Sequence, residues 1–360
     1  MANNNKSYVE QRDEKNTLKL RQMRAKLPTF CSEFFIGIEN RTSSLTRIAY
    51  AQDLITFFTF LHNELPEFAN VEIPLLTLDD LNKITATNLE MFLDYLNYYI
   101  IDDKTYRNND KAKARKLATV RSLLKYFYKK DKISQNVADK VDMPKIYTKN
   151  IIRLDSNEVE KLLEVADNCE NAISLQQKNY LSHTKTRDVA ILTLFLGTGI
   201  RISELVGIDI NDINFKNNSF VITRKGGNQY ILYFSDEVAS ALFNYKKLRE
   251  KIAPKNEKDS NAFFLSLQNK RISTRAVQNL VKKYALVASP LKKISPHKLR
   301  STYGTSLYEQ THDIYIVADV LGHKDVNTTK KHYASISEDI RKSASTKIRL
   351  RNNKDDKWKI

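Results

Sequence analysis

Apolar residues recur at helical spacing through the first 140 positions of the chain. From Ile48 the set Ala51, Leu54, Ile55, Phe58 and Leu61 advances by three and four, and Leu117, Val120, Leu123, Leu124 and Phe127 repeat the pattern. Each set predicts a helix with one apolar stripe. The aromatic-rich stretch 89–101 predicts a third helix. Only Gly37 among the eight glycines precedes position 190, so little interrupts a helical bundle expected over 26–141. A charged stretch at 1–25 reads as a lead-in. Residues 142–154 lose periodicity and carry Pro144 with Lys145, Lys149 and Arg153, the composition of a linker. Asp155 followed by Glu158 has the form of a capping box and opens a second domain over 155–350, with a basic tail at 351–360.

The second domain changes character. Residues 188–196 are almost wholly apolar and predict a buried helix ending at Gly197. Two β-rich stretches, 219–225 and 229–234, flank Gly226-Gly227-Asn228 and predict a hairpin. Helices are expected at 273–288, 298–310 and 314–320. The predicted fold is mainly α with a small antiparallel β-sheet, in two domains: an N-terminal helical one and a C-terminal mixed α/β one.

Charge narrows the partner. Lys and Arg number 59 against 42 Asp and Glu, a formal net charge of +17, which favours a polyanion such as nucleic acid. Lys111, Lys113, Arg115 and Lys116, continued by Arg121 and Lys125, lie off the apolar stripe of the 117–127 helix. They read as contacts to a DNA backbone or as a solvated face. Cys31 and Cys169 are too far apart in sequence for a zinc motif and give no disulfide framework. With no leader-like segment and no run of about 18 apolar residues, the expectation is a soluble, cytoplasmic protein.

Between Arg201 and Tyr333 the residues turn chemical. Arg201 follows a Gly-Thr-Gly turn at a predicted helix start, where its planar fork can hold two phosphate oxygens; the competing reading is a surface arginine capped by Glu204. Lys225 precedes Gly226-Gly227 and can present an amine that protonates a leaving oxygen, with Arg224 as a competing candidate. His297 and Arg300, three apart after Pro296, share a helix face. His323 lies in a Leu-Gly-His turn. Tyr333 closes the series after His332, with Lys330 and Lys331 as cations that ease deprotonation of a phenol; the competing reading is a tyrosine packed against the sheet. Two arginines, two proton carriers and a phenol suffice to break a phosphodiester through a covalent intermediate. Motifs of P-loop, zincin and serine-hydrolase chemistry are absent from the sequence. The carboxylate pairs Asp79-Asp80, Asp102-Asp103 and Asp355-Asp356 are adjacent in sequence rather than convergent, so a two-metal nuclease is disfavoured.

In their order and company, Gly-Thr-Gly-Ile-Arg201, Lys225-Gly-Gly-Asn, His297-Lys-Leu-Arg300, Leu-Gly-His323 and Thr-Thr-Lys-Lys-His-Tyr333 resemble the boxes of the tyrosine recombinase (phage integrase) family. Residues 30–140, with Ser43 to Arg47 and on through Asp53-Leu54, resemble its helical, SAM-like core-binding domain. Domain size is most similar to the Xer subgroup, above all its single-recombinase XerS type.

The resemblance implies a two-domain, C-shaped clamp on duplex DNA. Tyr333 would be the nucleophile forming a 3′-phosphotyrosine, Arg201 and Arg300 the phosphate clamp, His297 the acid/base, His323 an orienting group and Lys225 the acid for the leaving 5′ oxygen. It implies no cofactor and no metal, because the phosphotyrosine retains the bond energy. Expected partners are a double-stranded recombination site, three further copies in a homotetramer on two paired sites, and the DNA translocase FtsK. The implied role is chromosome dimer resolution at a dif-like site; integration or excision of a mobile element, or a non-catalytic DNA-binding role, are the alternatives. One departure stands out. The family's usual spacing places the nucleophile at position 332, which is His332 here, so a one-residue insertion precedes Tyr333. The segment 335–347 would be a helix that docks on a neighbouring protomer, the competing reading being a frayed basic end that binds DNA weakly.

Overall fold

The structure is a computed structural model and describes residues 7–147, 152–168, 175–224, 228–322 and 325–327, with the side chains of 175–183 outside that description. The chain divides into two compact units, Met1–Lys149 and Asn150–Ile360. The division falls inside the stretch expected as a linker, whose residues 142–147 lack regular structure.

Unit 1 contains α1 (Tyr8–Arg24), α2 (Cys31–Gly37), α3 (Ser44–Glu64), α4 (Pro66–Ala69), α5 (Leu78–Lys83) and α6 (Ala86–Tyr95), then strands β1 (Tyr99–Ile101) and β2 (Lys104–Tyr106), and α7 (Asp110–Tyr128). All five apolar residues predicted for the stripe of α7 are buried, as are four of the five in α3, Ile55 being half-buried. Phe57 and Phe60 widen that face, and Phe57 meets the ring of Phe92 on α6 edge-on at 5.1 Å. Edge-to-face pairs of this kind add to plain area burial.

Two expectations in this unit need correction. The charged stretch 1–25 is no mere lead-in. Ser7 and Glu10 form a reciprocal capping box at the start of α1, and Leu20 is buried. The helix packs along α3, where Asn16 donates to Ser44 Oγ at 3.0 Å and Ser44 donates to Asp13 at 3.0 Å. The predicted 89–101 helix stops at Tyr95, and 99–106 is an antiparallel hairpin pairing Tyr99 with Tyr106. Its turn is Asp102-Asp103, both at positive φ (50° and 59°), as a two-residue mirror-image turn demands. That carboxylate pair is therefore a turn.

Unit 2 contains α8 (Ser156–Asp167), α9 (Leu175–Thr198), α10 (Ile202–Leu205), β3 (Ile213–Asn214), β4 (Ser219–Thr223), β5 (Gln229–Tyr233), α11 (Asp236–Arg249), α12 (Thr274–Ala288), α13 (Pro296–Thr311) and α14 (Ile314–Leu321). Asp155 caps α8 and Glu158 returns the bond, the capping box expected from the sequence. Ala190, Ile191, Leu192, Leu194 and Phe195 are fully buried, and α9 is the central rod against which α8, α11 and α13 pack. The hairpin pairs Thr223 with Gln229 at its described end, and β3 adds a third antiparallel strand beside β4. Apart from two small antiparallel sheets, the regular structure among the described residues is helical. Among the described residues no helix is long and apolar enough to cross a membrane.

Candidate functional site

The end of α9 sets the geometry. Thr198 Oγ1 donates to Leu194 O at 2.6 Å and accepts from the amide of Ile200 at 3.3 Å, so the hydroxyl closes the helix. Gly199 then turns the chain at φ +60°, and a Cβ there would lie 2.4 Å from the ring of Tyr303. Only glycine fits both demands.

The chain re-enters a helix at α10 with Arg201 as its N-cap residue. Glu204, nearly buried, accepts from the Arg201 amide at 2.9 Å and from Nη1 at 2.8 Å, while Nη2 donates to Gly322 O at 2.9 Å. The pairing with Glu204 read from the sequence is present, and together these side-chain bonds engage two of the five N–H donors of the guanidinium. Because α10 is a single turn whose own carboxylate takes the entering amide, the guanidinium rather than the helix end is what this position offers an anion.

Arg300 arrives from α13, buried to 6% exposure. Pro296 occupies the first turn of that helix, where a missing N–H costs nothing. Arg300 Nη1 donates to Gly199 O at 2.5 Å, and Nη2 donates to Leu321 O. The turn after α9 and the end of α14 are therefore joined by one side chain. His297, one turn earlier on α13, is exposed and shares the face of Arg300.

A third arginine completes the pattern. Arg224, at the exit of β4, donates through Nη2 to Val320 O at 3.0 Å. Arg224, Arg300 and Arg201 thus hold three successive carbonyls, 320, 321 and 322, at the C-terminal end of α14. Those carbonyls have no partner within the helix and carry the negative end of its dipole, which suits three cations. The sequence offers Arg224 only as a rival to Lys225; no local signal reveals that it reaches a helix almost a hundred residues on. Burial pushes its pKa down, opposed by Glu204 and reinforced by Arg201.

Lys225, His323 and Tyr333 lie outside the described residues, as do Cys169 and the segments 328–350 and 351–360. Among the described residues no group of three or more His, Cys, Asp or Glu side chains could hold a metal ion.

The candidate DNA-contact residues separate. Lys116 is no surface cation. It is 5% exposed and donates to the fully buried Asp53 at 3.1 Å. Arg121 is turned onto its own unit, donating from Nε to Ala138 O at 3.0 Å and from Nη2 to Val141 O. Arg115 pairs with Asp53 but stays half-exposed, and Lys113 is half-buried and donates to Asn97. Lys111 and Lys125 are exposed. The interior takes Lys116 because a carboxylate waits there on α3, a partner invisible in a run of charges.

Comparison with known proteins agrees with this architecture. Residues 152–339 match the model of the phage integrase family. The tyrosine recombinase XerC of Caldanaerobacter subterraneus subsp. tengcongensis is 35% identical over 315 residues, covering 85% of this chain and 82% of the relative. Two solved structures share the fold: the XerH site-specific recombinase bound to a palindromic difH substrate (TM-score 0.61, 19% identity, 84% of this chain and 80% of that one) and the Tn1549 transposon integrase with transposon right-end DNA (TM-score 0.60, 19% identity, 88% and 99%). The chain therefore belongs to the phage integrase family and, within it, to the Xer tyrosine recombinases, enzymes that cleave and rejoin DNA.

Proposed function

We propose that this chain is a site-specific recombinase that resolves chromosome dimers at a dif-like site, acting as a tetramer on two paired sites with a DNA translocase of the FtsK kind as its accessory partner. The observation that carries the catalytic part is the convergence of Arg201 and Arg300 on the carbonyls of Leu321 and Gly322, with His297 one turn from Arg300. The cellular role is supported by the XerC relative.

In the proposed reaction the Tyr333 phenol attacks the scissile phosphorus while His297 accepts its proton. Arg201 and Arg300 offset the charge gathering on the non-bridging oxygens. The P–O5′ bond breaks, Lys225 protonates the departing 5′ oxygen, and His323 donates a hydrogen bond to the phosphate. Reversal by a 5′-hydroxyl from the partner duplex rejoins the strand. No further energy source is needed.

The test is Tyr333→Phe. The variant should bind DNA as the wild type does and form no covalent adduct; an adduct that survives denaturation in it would overturn the assignment of the nucleophile. Mapping wild-type adducts on genomic DNA decides the role. A single chromosomal site flanked by inverted arms supports dimer resolution, whereas adducts at the ends of a mobile element indicate an integrase.

A further inference from the structure

Arg224 does more than add charge. Its backbone amide donates to Asn228 O at 2.8 Å and closes the described base of the β4–β5 hairpin. Its side chain then leaves the sheet for the last turn of α14, passing over the ring of Tyr230 with Cζ 4.1 Å from the centroid. The guanidinium lies against Gly322: a Cβ on that residue would sit 2.0 Å from Nη1 and 2.2 Å from Cζ. Gly322 also turns at φ +62°, so its lack of a side chain serves both the turn and the arginine.

This arrangement is poor as a mere stabiliser. The guanidinium is half-buried, its Nε is buried with no hydrogen-bond partner among the described residues, and Arg201 is a like charge nearby. A neutral donor could hold Val320 O at lower cost. Such local expense is characteristic of functional positions. What the contact achieves is to join two segments about a hundred residues apart, one continuing into Lys225 and the other into His323.

We propose that Arg224 is a positioning residue for strand cleavage, fixing the base of the hairpin that carries Lys225 to the end of α14, and that Gly322 is the seat made for it. The inference rests on the recombinase reading and on Lys225 as the acid for the leaving 5′ oxygen. A fork that stacks on Tyr230 and also reaches Val320 O is something lysine cannot supply.

The experiment compares single-turnover cleavage of two DNAs by the full-length protein. Both carry the site recovered from wild-type adducts. One has the ordinary 5′ oxygen at the scissile bond and the other a 5′ sulfur, whose thiolate leaves without a proton. On ordinary DNA, Arg224→Ala should cleave at least about 10-fold more slowly, within the range ascribed to an acid. On the sulfur DNA it should recover to within about threefold of the wild type, as Lys225→Ala does and Arg300→Ala does not. DNA affinity should change less than about threefold. Gly322→Ala should reproduce the Arg224→Ala profile, and the two combined should be no worse than either, the mark of a shared interaction. If Arg224→Ala fails to fold, Arg224→Gln, which keeps a donor for Val320 O, is put through the same comparison. Wild-type rates in the variant, or equal slowing on both DNAs, would overturn the proposal. A wild-type protein that yields no adduct on genomic DNA, the step that supplies the site, refutes the recombinase reading itself, which is a separate result.

Discussion

Removing the carboxylate of Asp53 tests which basic residues of unit 1 belong to the interior. Asp53 is fully buried on α3 and accepts from Lys116 Nζ at 3.1 Å, from Thr119 Oγ1 at 3.1 Å and from Arg115. In Asp53→Ala, Arg115 can turn to solvent and Thr119 keeps its bond to Arg115 O at 3.2 Å, but Lys116 is left as a buried, unpaired ammonium. Breaking a buried pair from one side costs about 3–5 kcal/mol, whereas exchanging both partners for apolar groups is often near neutral. Asp53→Ala should therefore lose about 3–5 kcal/mol in urea denaturation followed by far-UV circular dichroism, and Asp53→Ala with Lys116→Met should regain most of it. Salt dependence of DNA binding gives the second readout. Every phosphate that a variant ceases to neutralise lowers the slope of log K against log salt by about 0.9, so Lys116→Met alone should leave the slope unchanged. A double variant as unstable as Asp53→Ala, or a slope lowered by about one in Lys116→Met, would refute the reasoning.

Other consequences follow from the same geometry. Arg121→Met should destabilise the protein by about 1–3 kcal/mol by leaving the carbonyls of Ala138 and Val141 without their donor, again without altering the salt slope. Lys111→Gln and Lys125→Gln, at exposed positions, should each lower that slope by about 0.9 with little loss of melting temperature. Gly199→Ala forces a side chain into a left-handed backbone, at about 1–2 kcal/mol, and toward the Tyr303 ring; the carbonyl that holds Arg300 should shift and covalent adduct formation should fall at least about 10-fold. Glu158 is raised by burial but lowered more by hydrogen bonds from Lys292 and Ser289, to about 2 from an ordinary 4.5. A depressed carboxylate stabilises fully above its unfolded value and loses that contribution as pH falls from 4.5 toward 2. Glu158→Gln should flatten the acid limb of a melting-temperature profile in that window.

How much of the fold is legible in the sequence follows from how locally each feature is determined. The stripe of α7 is readable because five apolar positions at helical spacing have one economical solution. The hairpin at 99–106 is not, because Tyr99, Ile100 and Ile101 prolong the apolar pattern of α6, and Asp102-Asp103 makes its mirror-image turn without the glycine that usually announces one. Helix α1 escapes the same reading because it has almost no apolar stripe; the pairing of Ser7 with Glu10 is the signal that could reveal it. At the site, motif order brings forward Arg201 and Arg300, yet the helix end they share lies 121 and 21 residues away along the chain. Likewise, Lys116 and Lys125 look alike in a run of charges, and only Asp53, 63 residues before Lys116, distinguishes them.

Lys116 and the arginines gathered at the end of α14 are held in physically different ways. In unit 1 Lys116 meets a carboxylate, so its charge is cancelled where it sits and little field remains for a phosphate. In unit 2 Arg300 is held through the carbonyls of Gly199 and Leu321, and Arg224 through that of Val320. A carbonyl dipole fixes a guanidinium in place without removing its formal charge, and a helix C-terminus adds about 0.3–1 kcal/mol of favourable interaction per cation. Arg201 is intermediate, sharing Glu204 while donating to Gly322 O. Glu204→Gln should therefore leave Arg201 anchored at Gly322 but raise the positive charge of the site, tightening its hold on phosphate at low salt. If Glu204 instead serves mainly to orient Arg201, the same variant should lose cleavage while DNA affinity stays constant, and the two outcomes separate cleanly in a binding and adduct assay run side by side.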